Sequence, residues 1–264
     1  MATESGQLGD RALRDARGYD EDAVHDNCNA WVNRVIHVLS GPNTQNAERI
    51  FDDIARQAAA GGRALDVGCG HGDFTRRLVE DLGASYALGV DVSETQLDAA
   101  RAVEVPGRIE FARVDVTQGI PGRFDLIVGR AVLHHIDFRE FLTKAYAEDL
   151  APGGRLLFTE PCAHPMTVAF HKLVKSAHTE DEFPIMPSDI RWMHDQFHDV
   201  RVIPVNLLSF PAGVISSYLC STPDNPLMRL ADRVDRSLAL RPRLEAYGRQ
   251  GIIVITKGGG APGT

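Results

Sequence analysis

Asp66, Gly68, Gly70 and Gly72 fall within seven residues of one another, and Asp91 and Asp115 follow at the ends of two later apolar runs. Glycine has no Cβ, so a turn built on Gly68, Gly70 and Gly72 lets the backbone come very close to a ligand. Asp91 lies nineteen positions beyond Gly72, where a carboxylate can accept both ribose hydroxyl hydrogens of an adenosine ligand. Asp115 is placed to accept from an adenine amino group. Either aspartate alone reads as well as a loop-capping acid; it is the order of turn, first acid and second acid that points to a nucleotide site. The glycines are spaced Gly-x-Gly-x-Gly rather than Gly-x-Gly-x-x-Gly, which disfavours a nicotinamide-dependent oxidoreductase.

Such residues need a parallel sheet to hold them. Ala64, Leu65 and Val67 end a buried strand over 63–67, and Phe74, Leu78 and Leu82 recur at steps of four in a helix over 74–82. Strand 86–90, helix 94–103, strand 108–114, strand 124–128 and helix 138–150 follow, and Pro152-Gly153-Gly154 turns the chain into strand 155–159. Strands alternating with helices indicate an α/β fold with a doubly wound sheet. Ahead of the turn, helices are expected at 11–17, at 20–39 with Val24, Trp31, Val35 and Val38 on one face, and from Asn43 or Thr44 to about 60. We read 11–60 as an N-terminal helical cap on a domain spanning 61–257. Strands at 200–205 and 251–257 lie late in the chain, and 161–197 and 206–249 read as cap insertions. The small, polar ends, 1–10 and 258–264, are expected to be disordered.

The composition excludes several classes. Among 264 residues, 44% are hydrophobic and 24% charged, as in an ordinary globular protein, and the net charge of -8 disfavours a nucleic-acid substrate. Cys28, Cys69, Cys162 and Cys220 form no Cys-x-x-Cys pair, which argues against zinc and against a disulfide scaffold and suits a cytoplasmic location. The chain begins without an apolar signal core, and no run approaches the ~18 apolar residues of a membrane span.

The run Leu65-Asp66-Val67-Gly68-Cys69-Gly70-His71-Gly72 stands in order with Gly89-Val90-Asp91-Val92-Ser93, Phe124-Asp125-Leu126-Ile127-Val128 and Leu150-Ala151-Pro152-Gly153-Gly154-Arg155-Leu156. Together these motifs resemble a class I S-adenosylmethionine-dependent methyltransferase over residues 63–160. The resemblance implies a Rossmann-like, seven-stranded, mostly parallel sheet whose last strand is antiparallel, with S-adenosyl-L-methionine as cofactor. It also implies that Asp66 and the backbone of Gly68, Cys69, Gly70 and Gly72 cradle the methionine part. Asp91 would take the ribose, Val92 would pack on the adenine, and Asp115 and the Val116 amide would read its edge. Gly129 or Arg130 would sit at the amino-acid end. Arg130 departs from the small residue often found there, and it could pair with the cofactor carboxylate or with an acidic acceptor.

Methyl transfer chiefly needs an aligned nucleophile. A phenol or alcohol must also lose a proton, and histidine suits that task near neutral pH. His134, His135, Glu160 and His164 stand at or just after strand ends and are the candidate bases. His194 and His198 are four apart, but without an acidic partner motif no metal site is expected. Tyr19, Trp31, Phe170, Phe183, Met186, Trp192, Phe210 and Tyr218 fall in the cap segments, as core or as acceptor lining. The leading reading is O-methylation of a small, largely apolar, natural-product-type acceptor. C-methylation of an isoprenoid or polyketide-like acceptor and a non-methylating cofactor-binding role are the alternatives. An acceptor bearing diphosphate would need clustered cations, and Arg130, Lys172, Lys175 and Arg191 are the candidates. No nucleic-acid or membrane partner is expected, and a homodimer is left open.

Overall fold

The computed structural model describes residue 12 and residues 30–120, 122–165, 184–220 and 222–259. The expected helix at 11–17, the first half of the helix at 20–39, and Tyr19, Phe170, Lys172, Lys175 and Phe183 lie outside the described residues.

Seven strands form one sheet in the order β3-β2-β1-β4-β5-β7-β6. They are β1 (Arg63–Val67), β2 (Tyr86–Asp91), β3 (Ile109–Arg113), β4 (Phe124–Arg130), β5 (Leu150–Pro161), β6 (Asp199–Val205) and β7 (Gln250–Thr256). β1 pairs in parallel with both β2 and β4, while β7 runs antiparallel to both β5 and β6. The expectation of a mostly parallel sheet with an antiparallel last strand is met. Central strands such as β1 carry apolar side chains on both faces, because helices cover both.

On one face lie α2 (Pro42–Ala59), α3 (Asp73–Glu80) and α4 (Glu94–Ala100). Phe51, Ala55 and Ala59 of α2 share a core with Leu126, Val128 and Leu157 of the sheet. This helix is therefore a layer of the domain, and the expected cap over 11–60 does not extend to it. On the other face lie α5 (Phe138–Lys144) and α6 (Pro187–Gln196), where Ile190, Met193 and Phe197 join the core. Trp192 packs there against Phe138 and Phe197 rather than in a cap, and Arg191 faces outward. α6 stops at Gln196, so His194 and His198 share no helix face, and His194 bonds to Glu245 at 2.8 Å.

A third, smaller core joins α1 (Ala30–Leu39) to α7 (Ser209–Leu219) and α8 (Pro226–Leu238) through Val35, Val38, Leu39, Phe210 and Met228. Trp31 and Tyr218 meet there, their ring centroids 5.9 Å apart. β5 is longer than expected: Leu150 already pairs with Phe124, and residues 151–154 bulge out before Arg155 resumes opposite Leu126. Among the described residues no helix is long and apolar enough to cross a membrane.

Candidate active site

The turn after β1 is built on left-handed backbone. Gly68, Gly70 and Gly72 have φ of +69°, +52° and +81°, a region that strains any residue with a Cβ. Space adds a second demand. A Cβ on Gly72 would lie 2.5 Å from the Phe111 ring, and one on Gly68 would lie 3.0 Å from the Val132 side chain. The N–H groups of Gly68 and Cys69 both donate to the Val90 carbonyl, at 2.8 and 3.1 Å, which ties the turn to the end of β2.

Asp91, the last residue of β2, completes that tie. Its Oδ2 accepts from the Gly70 N–H at 3.0 Å and its Oδ1 from the Ser93 N–H at 2.9 Å. Each oxygen keeps a second lone pair for a hydroxyl donor. Ser93 in turn caps α4 by accepting from the Gln96 N–H. Val92 is half-buried beside it, and its carbonyl accepts from Arg113 at 2.9 Å.

Asp115 is buried beyond β3, and its Oδ1 accepts from the Thr117 amide and hydroxyl at 3.0 and 2.7 Å. This is also the loop-capping bond that the sequence leaves open for such an acid. Val116 is buried in the core beneath it.

Asp66, Gly68, Cys69, His71, Phe74, Arg77 and Arg130 line a cleft of about 260 Å³. Burial pushes the Asp66 carboxyl up to about 7, against the lowering effects of the Thr75 hydroxyl, bonded at 2.7 Å, and of the Arg130 charge. Burial likewise drives the Cys69 thiol far up, with Asp66 and Asp91 adding to it, so it is no nucleophile. Arg130 pairs with Glu48 of α2 at 3.4 Å and lies over the rings of Phe51 and Phe74. Arg77 pairs with Asp52, one helical turn from Glu48, at 2.7 Å. Gly129 has no room for a side chain: a Cβ would meet Val132 at 2.6 Å and Phe158 at 2.8 Å.

Of the four candidate bases, the structure joins two. Glu160 at the end of β5 is fully buried, and its Oε2 lies 2.7 Å from Nδ1 of His134. Its Oε1 accepts from the N–H groups of Val132 and Leu133, at 2.9 and 2.8 Å. A carboxylate already holding two amides acts as acceptor toward the imidazole, which assigns the proton to Nδ1 and makes Nε2 the basic nitrogen. His135 lies against His134, the rings tilted by 40° with centroids 4.1 Å apart. His164 lies elsewhere, edge-on to Phe210 at 5.3 Å.

Among the residues that sequence reasoning missed, Thr75, Glu48 and Arg77 meet the site only through folding, and no spacing rule singles them out. Arg249, half-buried over the ring of Phe210, shows in the sequence only as the residue before a strand.

A protein-family model described as a methyltransferase domain matches residues 65–156, the span that carries the turn, Asp91, Asp115 and Arg130. The chain carries a class I methyltransferase domain. Trans-aconitate 2-methyltransferase of Streptomyces avermitilis is 36% identical over 104 residues, 38% of this chain and 39% of that protein. Ubiquinone biosynthesis O-methyltransferase of Nitrosococcus oceani is 34% identical over 105 residues, 38% of this chain and 44% of that protein. The chain thus spans about two fifths of the length of these relatives. The fold is shared more widely. Magnesium protoporphyrin IX methyltransferase of Synechocystis PCC 6803, solved with bound S-adenosylhomocysteine, superposes with a TM-score of 0.57. It is 15% identical, and the match covers 94% of this chain and 98% of that one.

The methyltransferase domain fits the cofactor that its fold implies. The left-handed turn offers a cradle that a Cβ would fill, and Asp91 is held in place beside it by two backbone amides. Asp66 and Arg130 give the cleft beside the turn one group for a cation and one for a carboxylate.

Proposed function

We propose that the chain transfers a methyl group from S-adenosylmethionine to a hydroxyl oxygen of a small, largely apolar acceptor of natural-product type. The observation that carries methyl transfer is the bond from the Gly70 N–H to Asp91, which joins turn and ribose acid into one rigid unit. When bound, the cofactor supplies a methyl group already activated by a sulfonium. The protein's part is then to align the acceptor, exclude water and remove a proton.

The choice of oxygen rests on the His134–Glu160 pair. Nδ1–H of His134 points at the buried carboxylate, so Nε2 is the atom to take the acceptor's hydroxyl proton. Glu160 then stabilises the imidazolium, the arrangement by which an acid orients a histidine base in other enzymes. Val132, two residues before His134, packs against Gly68, so the base loop and the cofactor turn are in contact. A relative named as an O-methyltransferase supports the same reading.

Tritiated S-adenosylmethionine incubated with the protein and a cell extract should label a small product that extracts into organic solvent. Tight binding of S-adenosylhomocysteine with no label in any extract would overturn transfer, and a label on carbon would overturn the choice of oxygen.

A further inference from the structure

Arg249 immediately precedes β7, at the carboxyl edge of the sheet. Its backbone is held on both sides: its N–H donates to the Asn206 carbonyl at 3.4 Å, and its carbonyl accepts from the Cys162 N–H at 2.9 Å. Cys162 lies two residues beyond Glu160, so Arg249 adjoins the strand end that carries the His134–Glu160 pair. The guanidinium sits over the face of Phe210, 5.9 Å from the ring centroid, and the His164 ring stands nearly perpendicular to the same ring.

What sets Arg249 apart is burial without an acid beside it. Arg77, Arg101, Arg130, Arg139 and Arg229 each face a carboxylate. Arg249 pairs with none among the described residues, and burial alone holds it below the usual arginine range, with no opposite charge to counter it. Taking a guanidinium out of water without a partner is costly, and contact with one aromatic face returns only part of that cost. Asp235, the acid near His164, is already engaged: its two oxygens accept from the Leu208 and Ser209 amides at the start of α7.

We infer that Arg249, with His164 and Phe210, is the acceptor subsite, and that the acceptor it takes carries a carboxylate. This rests on the methyl-transfer reading above and names the class of its substrate. The fork of guanidinium donors matches a carboxylate in two parallel bonds. Burial lowers His164, over the raising effects of a Leu207 backbone bond and Asp235, so near pH 7 it is a neutral partner. The cluster then carries one positive charge, which balances a monoanionic carboxylate and leaves a phosphate dianion uncompensated.

Calorimetry on the full chain loaded with S-adenosylhomocysteine tests this, with benzoate against benzamide, cinnamate against cinnamamide and octanoate against octanamide as matched probes. At least one carboxylate should bind tenfold or more tighter than its amide. Arg249→Met should erase that preference and leave the affinity for S-adenosylhomocysteine within twofold, while Arg249→Lys should keep part of it. The assignment is wrong if no carboxylate outbinds its amide or if Arg249→Met leaves the preference intact. It is also wrong if Arg249→Met loses S-adenosylhomocysteine together with the probes, since Arg249 then belongs to the framework. Failure of the wild-type chain to bind S-adenosylhomocysteine at all overturns the methyl-transfer reading instead.

Discussion

Nδ1 of His134 lies 2.7 Å from the Glu160 carboxylate, and the same carboxylate receives the N–H groups of Val132 and Leu133. One buried acid therefore shapes the loop after β4 and orients the imidazole on it. His134→Asn should lower kcat by about 10²–10⁴-fold, the range for loss of a general base, and leave the affinity for S-adenosylhomocysteine unchanged. Glu160→Gln should lower kcat too. It should also destabilise the fold by about 1–3 kcal/mol, because an amide cannot accept at both ends and a buried donor loses its partner. Single-turnover rates and denaturant melts separate the two effects.

Asp91 ties the glycine turn to β2 through Gly70, and in its proposed role the remaining lone pairs receive the ribose hydroxyls. Asp91→Ala should weaken S-adenosylhomocysteine binding by about 1–3 kcal/mol for the unpaired hydroxyls. The loss should shrink for a ligand lacking the ribose hydroxyls, such as the 2′,3′-dideoxy analogue. Calorimetry with both ligands checks this, and equal losses would mean that Asp91 acts only through the turn.

Gly129 stands where β4, β5 and the base loop converge. A methyl group there meets Val132 at 2.6 Å and Phe158 at 2.8 Å, and Phe158 is fully buried in the core. Gly129→Ala should cost about 1–3 kcal/mol by overpacking. Val132 should also be pushed toward Gly68, so cofactor affinity should fall with stability. Gly129→Ala combined with Val132→Ala should recover much of both, as read by denaturant titration and calorimetry.

The sheet was legible because its signals are local. Glycine spacing, apolar runs and the acids after them are read along a few residues, and β1, β2, α3 and the closing β7 follow from them. Trp192 and the cap show where this stops. An amphipathic helix announces a buried face but not what it is buried against, so α6 read as cap although it lies on the sheet. α2 likewise reads the same whether it covers an edge or a face. The site divides in the same way. Asp66, Asp91 and Arg130 lie at or next to the last residue of a strand and stand out, whereas Arg249 matters only for the acid it lacks, and an absent partner leaves no mark in a sequence.

Asp66 makes stability and cofactor binding depend on pH in opposite ways. Its carboxyl rises from 3.8 to about 7 on folding, chiefly through burial, so the folded chain holds a proton that the unfolded chain has lost between those values. Stability from this group is full below about pH 4 and falls as pH rises to about 7, by roughly 4 kcal/mol in all. The difference in unfolding free energy between wild type and Asp66→Asn should show that slope and then level off. A cationic ligand group at the cleft favours the ionised form. S-adenosylhomocysteine binding should therefore release close to one proton near pH 6 and almost none at pH 8, as read by calorimetry in buffers of different ionisation enthalpy.

Arg130 sets where that change occurs. Its guanidinium, held over Phe51 and Phe74 and paired with Glu48, is one of the groups that lower Asp66. Arg130→Met removes a positive charge from the cleft while keeping much of the side chain's apolar bulk against the two rings. An acid that loses a nearby cation titrates higher, so the midpoint at which S-adenosylhomocysteine affinity rises with pH should move to more alkaline pH than in wild type. Affinity at pH 8 should also fall, because the cofactor's carboxylate loses its partner. Glu48→Gln should move the midpoint the other way, since it removes an anion from the same group. A midpoint unchanged in both variants, in affinity measured from pH 5.5 to 9, would separate Arg130 from Asp66 and reduce the arginine to a surface ion pair.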